Sequence, residues 1–213
     1  MQVRELAIAG VYEFAPKSFG DNRGLFTAPF QGEVFEKTVG HTLRLGQTNH
    51  SVSRRGTIRG VHFADTPPGQ AKYIYCPSGS MLDVIVDIRV GSPTFGKWVS
   101  VVLDAQSYKA VYVPEGLGHG FVALEDDTSM SYLCSTGYNP GAEHGITPLD
   151  PALDLPWPCD IEPVLSDKDI KAPTLAEAQA AGLLPTYDAC QAHYASLLDN
   201  RVMTTPSTSA SPS

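Results

Sequence analysis

The sequence predicts a mainly β fold: an antiparallel β-sandwich or barrel with short C-terminal helices. Three observations lead there. Met81 to Val90 alternates with period two, Leu82, Val84, Val86, Ile88 and Val90 against Met81, Asp83, Ile85, Asp87 and Arg89, the pattern of a strand. Turn signals recur at Asp21-Asn22-Arg23-Gly24, Pro67-Pro68-Gly69, Pro77-Ser78-Gly79, Gly91-Ser92-Pro93 and Pro114-Glu115-Gly116, with few helical stretches between them. Helix formers gather late, after residue 170.

Taken in order, residues 1–115 read as mostly strand. Val3, Glu5, Ala7, Val11 and Glu13 surround a break at Gly10 and suggest extended chain. Leu43, Leu45, Gln47, Asn49 and Ser51 form a second alternating row whose face begins apolar and ends polar. Such a face either leaves the core for solvent or lines a wet cavity. Leu175 to Ala181 is rich in helix formers and stops at Gly182, a suitable C-cap. Tyr187 to Leu198 forms a second helix after Pro185. From Thr204 the chain is a low-complexity run of Thr, Ser, Pro and Ala, expected to be disordered. The expected organisation is one domain over 1–203 and a tail over 204–213.

Composition excludes several classes. The 213 residues, 42% hydrophobic and 18% charged, are enough to bury a core without structural metal. They do not describe a wholly disordered chain. The net charge of −8 argues against a protein that coats nucleic acid, which needs clustered Lys and Arg. The apolar runs are too short for a membrane helix or a signal-peptide core. Cys76, Cys134, Cys159 and Cys190 show no C-x-x-C pair and no disulfide framework. Reduced thiols and a cytoplasmic location are expected.

Chemistry-bearing residues fall in a few segments. Pro114-Glu115-Gly116-Leu117-Gly118-His119 fits the Pro-x-Gly-x-x-His turn of cupin-like jelly rolls, where that histidine is often a metal ligand. A metal site also needs an earlier His-x-His, and here the chain reads His62-Phe63-Ala64. Catalytic divalent ions usually have about three protein ligands, so no metal is expected and His119 reads as a hydrogen-bonded histidine. Gly56-Thr57-Ile58-Arg59-Gly60-Val61-His62 puts a guanidinium and an imidazole close together. Lys72 shares a strand face with Ile74 and Cys76, a costly place for a cation unless it is paired, meets a ligand oxygen or reaches solvent at an edge. Tyr132, Tyr138 and the charged stretch Leu165-Ser166-Asp167-Lys168-Asp169 complete the set. Spacing gives no nucleophile elbow, no P-loop and no G-x-G-x-x-G.

Eight segments together resemble the dTDP-4-dehydrorhamnose 3,5-epimerase family, deoxysugar epimerases with a cupin-like jelly-roll fold. They are Phe19–Gly24, Gln47–Ser51, Ile58–His62, Gln70–Lys72, Asp83–Arg89, Gly91–Gly96, Pro114–Phe121 and Leu165–Asp169, in family order over about residues 10–170. The resemblance implies proton transfer beside the C4 ketone of a dTDP-4-keto-6-deoxyhexose, without metal or organic cofactor. Such chemistry needs a base, a partner for the oxyanion and an acid on the other face. By resemblance His62 is the base, oriented by Asp169; Lys72 neutralises the C4 oxygen; Tyr132 is the acid. Arg59 and Arg23 match the diphosphate binders, with Arg23 reaching a neighbouring subunit's site in a homodimer. Gln47, Asn49, His119, Tyr138, Glu143 and Lys168 match nucleotide or sugar contacts.

Strict alternation puts Arg59 and His62 on opposite strand faces, so both reach one pocket only if Gly60 bends the strand. Ala28 stands where the family commonly has a glutamate, and Leu133 follows Tyr132 where a lysine is common. Segments Ala71–Cys76, Ala123–Thr128 and Leu175–Pro185 look like the antibiotic-pathway enzymes that invert C3 alone. The expected activity is therefore C3 epimerisation of dTDP-4-keto-6-deoxy-D-glucose. The alternatives are a 3,5-double epimerase making dTDP-4-keto-L-rhamnose, a metal cupin, and a non-catalytic nucleotide-sugar binder.

Overall fold

The computed structural model describes residues 1–202; the expected tail from Thr204 lies outside them. The chain opens with β1 (Gln2–Glu5), β2 (Tyr12–Ala15), the hairpin β3 (Ser18–Asp21) and β4 (Gly24–Thr27), and helix α1 (Gly32–Val39). The body follows as β5 (Gln47–Ser53), β6 (Ile58–Ala64), β7 (Lys72–Ser78), β8 (Ser80–Val86), β9 (Trp98–Asp104), β10 (Ala110–Val113), β11 (Gly118–Ala123), β12 (Thr128–Cys134) and β13 (Glu143–Gly145). It ends in α2 (Asp167–Ile170), α3 (Leu175–Ala180) and α4 (Tyr187–Val202).

Two antiparallel sheets face each other, in the orders β1-β2-β10-β7-β12-β5 and β13-β6-β11-β8-β9. The expected mainly β sandwich with C-terminal helices is what forms. Between the sheets pack Ile74, Cys76, Met81, Ile85, Val111, Phe121 and Met130. The five-stranded sheet is covered on its outer face too, where Val84, Val86 and Ile88 meet Leu153, Leu175, Ala178 and Leu184. That explains why both rows of the Met81–Val90 pattern are buried.

Three elements differ from the sequence reading. The first is α1, inside a stretch expected to be mostly strand. Its β-branched residues favour strand locally, but Phe35 buries against Phe14, Tyr73 and Tyr112, and tertiary packing overrides propensity. The second is β8, which ends at Val86 rather than Val90. There Asp87 accepts from Arg89 Nε (2.9 Å), Ser92 Oγ (2.6 Å) and Thr94 Oγ1 (2.6 Å), and this local network turns the chain. The third is the row from Leu43 to Ser51, of which only Gln47 onward is strand. The two late helices appear as expected, α3 with a Thr174/Glu177 capping box and α4 running past Leu198 to Val202.

The register between β6 and β11 positions the site. His62 pairs with His119, but Arg59 pairs with Phe121. Three steps on β6 therefore match two on β11, a β-bulge at Gly60 and Val61. The extra residue cancels the odd spacing, so Arg59 and His62 emerge on one side of the strand. Gly60 has φ +129°, and a Cβ there would lie 2.5 Å from Gly120 Cα and 2.7 Å from the His119 carbonyl oxygen. Only glycine fits. Gly60→Ala is expected to lose about 1–3 kcal/mol of stability from backbone strain, measured by urea denaturation, with activity falling further than the folded fraction.

Candidate active site

His62 leaves β6 toward α2, and its Nε2 lies 2.7 Å from Asp169 Oδ1. Ser166 caps α2: its Oγ accepts the Asp169 backbone N–H (3.1 Å) and donates to Asp169 Oδ2 (2.9 Å). A carboxylate only accepts, so the proton between the two sits on Nε2, and Nδ1 is left as the lone-pair nitrogen of a neutral ring. Burial pushes the Asp169 carboxyl up, but the hydrogen bonds from His62 and Ser166 and the charge of Lys168 outweigh it and hold it below its ordinary value. The anion needed to orient the imidazole is thus secured.

A cleft of about 400 Å³ opens over this pair, lined by Ser53, Arg54, Arg59, His62, Lys168 and Asp169 among others. Arg59 Nε donates to Ser53 Oγ at 3.2 Å. Three cations at one mouth suit a diphosphate, which guanidinium binds in bidentate fashion. The cleft thus admits an anion despite the acidic net charge.

The remaining residues come from the facing sheet. Lys72 on β7 is buried, with Cys134 opposite it on β12. Burial pushes its ammonium below the ordinary lysine value, against the charges of Glu143, Cys134 and Asp83. Tyr132 aligns with Asn49 of β5. Burial pushes its phenol up, Cys134 and Glu143 add to this, and the Asn49 amide and Arg59 pull it back. It remains protonated at neutral pH. Asn49 also donates to Cys134 Sγ (3.6 Å) and accepts from Gln47 Nε2 (2.6 Å), while Gln47 Oε1 accepts the Tyr138 backbone N–H (2.9 Å). The polar half of the β5 row therefore faces the site rather than open water.

His119 is bonded through Nε2 to Asp83 Oδ2 at 2.7 Å, both groups buried. Among the described residues no group of three or more His, Cys, Asp or Glu side chains is placed to hold a metal ion. Glu143 lies on β13 beside β6. Two expected residues stand apart. Tyr138 has a largely exposed side chain. Arg23 is 85% exposed and bonded to Asp21 on the β3–β4 hairpin, outside its own chain's cleft. Ala28 follows the same hairpin, so the glutamate it replaces would also lie there. Sequence reasoning missed Asp83 and Ser166 as site-supporting residues. Asp83 shows as a carboxylate in an apolar strand row, and Ser166 as a helix N-cap with an acid three residues on.

Comparison with known proteins identifies the arrangement. The family profile described as dTDP-4-dehydrorhamnose 3,5-epimerase matches residues 5–177. A dTDP-4-dehydro-6-deoxyglucose 3-epimerase from a Streptomyces species is 52% identical over 186 residues, 87% of this chain and 95% of that one. A dTDP-4-dehydrorhamnose 3,5-epimerase from Mycolicibacterium smegmatis is 51% identical over 202 residues, 95% of this chain and all of that one (100%). The solved structure of ChmJ, a 3'-monoepimerase from Streptomyces bikiniensis in complex with dTDP-quinovose, superposes with a TM-score of 0.89. It is 49% identical and covers 91% of this chain and 98% of its own. The fold thus has its counterpart in known enzymes, and the chain belongs to the dTDP-4-dehydrorhamnose 3,5-epimerase family.

Proposed function

We propose that this dTDP-sugar epimerase inverts C3 of dTDP-4-keto-6-deoxy-D-glucose, for deoxysugar biosynthesis of the antibiotic kind. One observation carries the reading. His62 and Tyr132 stand on the two facing sheets, with buried Lys72 beside Tyr132's strand. Inversion requires proton removal from one face and delivery to the other, and a single residue serves both only if the sugar turns over.

His62 Nδ1 takes the C3 proton. The C–H electron pair becomes the C3–C4 π bond, and the C4 ketone becomes an enolate whose oxygen faces the Lys72 ammonium. Tyr132 then gives its phenolic proton to C3 from the opposite side, and the ketone re-forms. The imidazolium and tyrosinate left behind return to their starting states by proton exchange with water. A neutral imidazole is a competent base, and a phenol held above its ordinary value by burial keeps its proton until the enolate forms. Lys72 supplies the positive charge on the oxyanion, so the scheme calls for no metal and no organic cofactor. Arg59 meets the diphosphate, with Arg23 from the neighbouring subunit; Gln47, Asn49, His119, Tyr138, Glu143 and Lys168 contact the nucleotide or sugar.

The working unit in this proposal is a homodimer of one-domain subunits (1–203) in the cytoplasm. The β3–β4 hairpin supports it: Phe26 is 70% exposed and Phe19 55%, beside Arg23, more apolar surface than a free arm keeps. Crossing to the partner would cover these rings and place Arg23 in the partner's cleft. Three unpaired, buried cysteines fit a reducing compartment. A second reading, inversion of both C3 and C5, is favoured by the 51% identical 3,5-epimerase.

Incubation in deuterium oxide followed by proton NMR tests the chemistry. Label is expected at C3 of a C3-inverted product. Net formation of the L-lyxo sugar at a similar rate would establish the double epimerase instead. His62→Asn is expected to abolish C3 exchange and turnover together. Tyr132→Phe is expected to lose inversion but keep some exchange, because His62 can return a solvent deuteron to the same face. Each loss of turnover is expected at about 10²- to 10⁴-fold. Exchange that survives in His62→Asn while vanishing in Tyr132→Phe would reverse the assignment. For the dimer, mixing inactive Arg23→Ala with inactive His62→Asn under conditions of subunit exchange is expected to restore activity. A mixture with proven exchange and no activity counts against the shared site.

A further inference from the structure

The space between the sheets holds a carboxylate that the proton transfer does not use. Asp83 lies on β8 between Met81 and Ile85, both part of the apolar core, and its exposure is 0%. A carboxylate in such surroundings is costly unless it is paired and hydrogen-bonded. Its Oδ2 accepts from His119 Nε2, but Oδ1 has no hydrogen-bond partner among the described residues. Half of its bonding capacity is therefore unused, in a place water does not reach. On the opposite sheet lies Lys72, also buried.

We propose that Asp83 is a positioning residue that holds His119 by its Nε2–H and, as an internal counter-charge, keeps Lys72 an ammonium for the C4 oxygen. The inference rests on the reading of Lys72 given above and assigns what maintains that charge. Burial works against it. The acidic groups that surround Lys72 are Glu143 on β13, Cys134 on β12 and Asp83 on β8. Burial pushes the Cys134 thiol up to about 11, so at neutral pH it carries no charge. Glu143 is half-buried and lines a shallow hollow with Lys168, where water screens it. Asp83 is dry, and Coulomb attraction grows as the effective dielectric falls. Because Asp83 accepts the Nε2–H bond, Nδ1 is the nitrogen that holds the lone pair whenever the His119 ring is neutral. One carboxylate thus sets the tautomer of a binding group and the charge of a reacting one.

Asp83→Asn is the discriminating variant. The amide keeps the shape and can still accept from His119, but it carries no charge. Lys72 Nζ is followed by heteronuclear NMR in the free protein, its resonance assigned by loss in Lys72→Ala. In Asp83→Asn the Lys72 titration is expected to move to lower pH, and the alkaline limb of the kcat profile to move with it. Removing a carboxylate behind a metal-ligating histidine costs about 10- to 100-fold; a similar fall in kcat is expected here, exceeding any rise in KM. Asp83→Glu, which restores the charge, is expected to bring the titration part of the way back. An unmoved Lys72 titration, with kcat falling only as the folded fraction falls, overturns the proposal. If Asp83→Asn does not fold, the Asp83 carboxyl carbon of the unaltered protein reports the same coupling. Its shift must show an inflection where Lys72 deprotonates, and a curve without one overturns the proposal. Lys72→Ala with undiminished turnover would instead defeat the reading of Lys72, whatever Asp83 does.

Discussion

The site depends on one backbone irregularity, the bulge at Gly60 and Val61 opposite Gly120. A regular strand would send Arg59 and His62 to opposite faces, one to the cleft and one away from it. With the bulge, a group suited to phosphate and a group suited to proton transfer open on the same cleft, three residues apart in the chain. The approach of two glycines makes this possible, since a side chain at Gly60 would strike the β11 backbone. Bulges re-aim side chains near active sites in many β proteins, and here the bulge lies between Arg59 and His62.

The second constraint is electrostatic. The interior between the sheets is apolar around Ile74, Met81, Ile85 and Phe121. Next to these apolar groups it also holds Lys72, Asp83 and His119, all buried. Charges in such a place are tolerated only in company, and each has a neighbour of opposite or complementary character. The same burial serves chemistry. In the proposed reaction a carbonyl oxygen entering this space would meet the Lys72 side chain where water does not screen it, and a preorganised charge costs no reorganisation.

The C-terminal helices extend that rigidity from outside. Arg89, 1% exposed, grips Asp87 with two bonds and lies over the Tyr187 ring at 5.2 Å. Tyr194 of α4 donates to the Glu115 carbonyl oxygen, and Glu115 Oε1 accepts from Ser135, whose Oγ in turn accepts the Ala71 backbone N–H. A bonded path thus runs from α4 to the residue before Lys72. Short α2 does the corresponding work at the cleft mouth, where its Ser166 cap aims Asp169 at His62.

The sequence by itself determined most of the strands, the two late helices and the family. Period-two alternation and turn chemistry are local signals, so Met81–Val86 and the Pro114–Gly118 turn could be read directly, and eight ordered segments carried the family. What the tertiary structure decided is every relation that depends on distant contacts. Helix α1 exists because Phe35 finds an aromatic cluster from three other strands, against the leaning of its β-branched residues. The polar end of the β5 row faces a cleft because β12 lies beside it. Asp83 meets His119 because β11 lies beside β8, and no pattern within Met81–Val90 distinguishes it from Asp87, which turns to a buried arginine instead. Arg23 falls outside its own chain's cleft for the same reason: among the described residues its hairpin pairs only with itself, and no neighbouring strand carries it to the cleft.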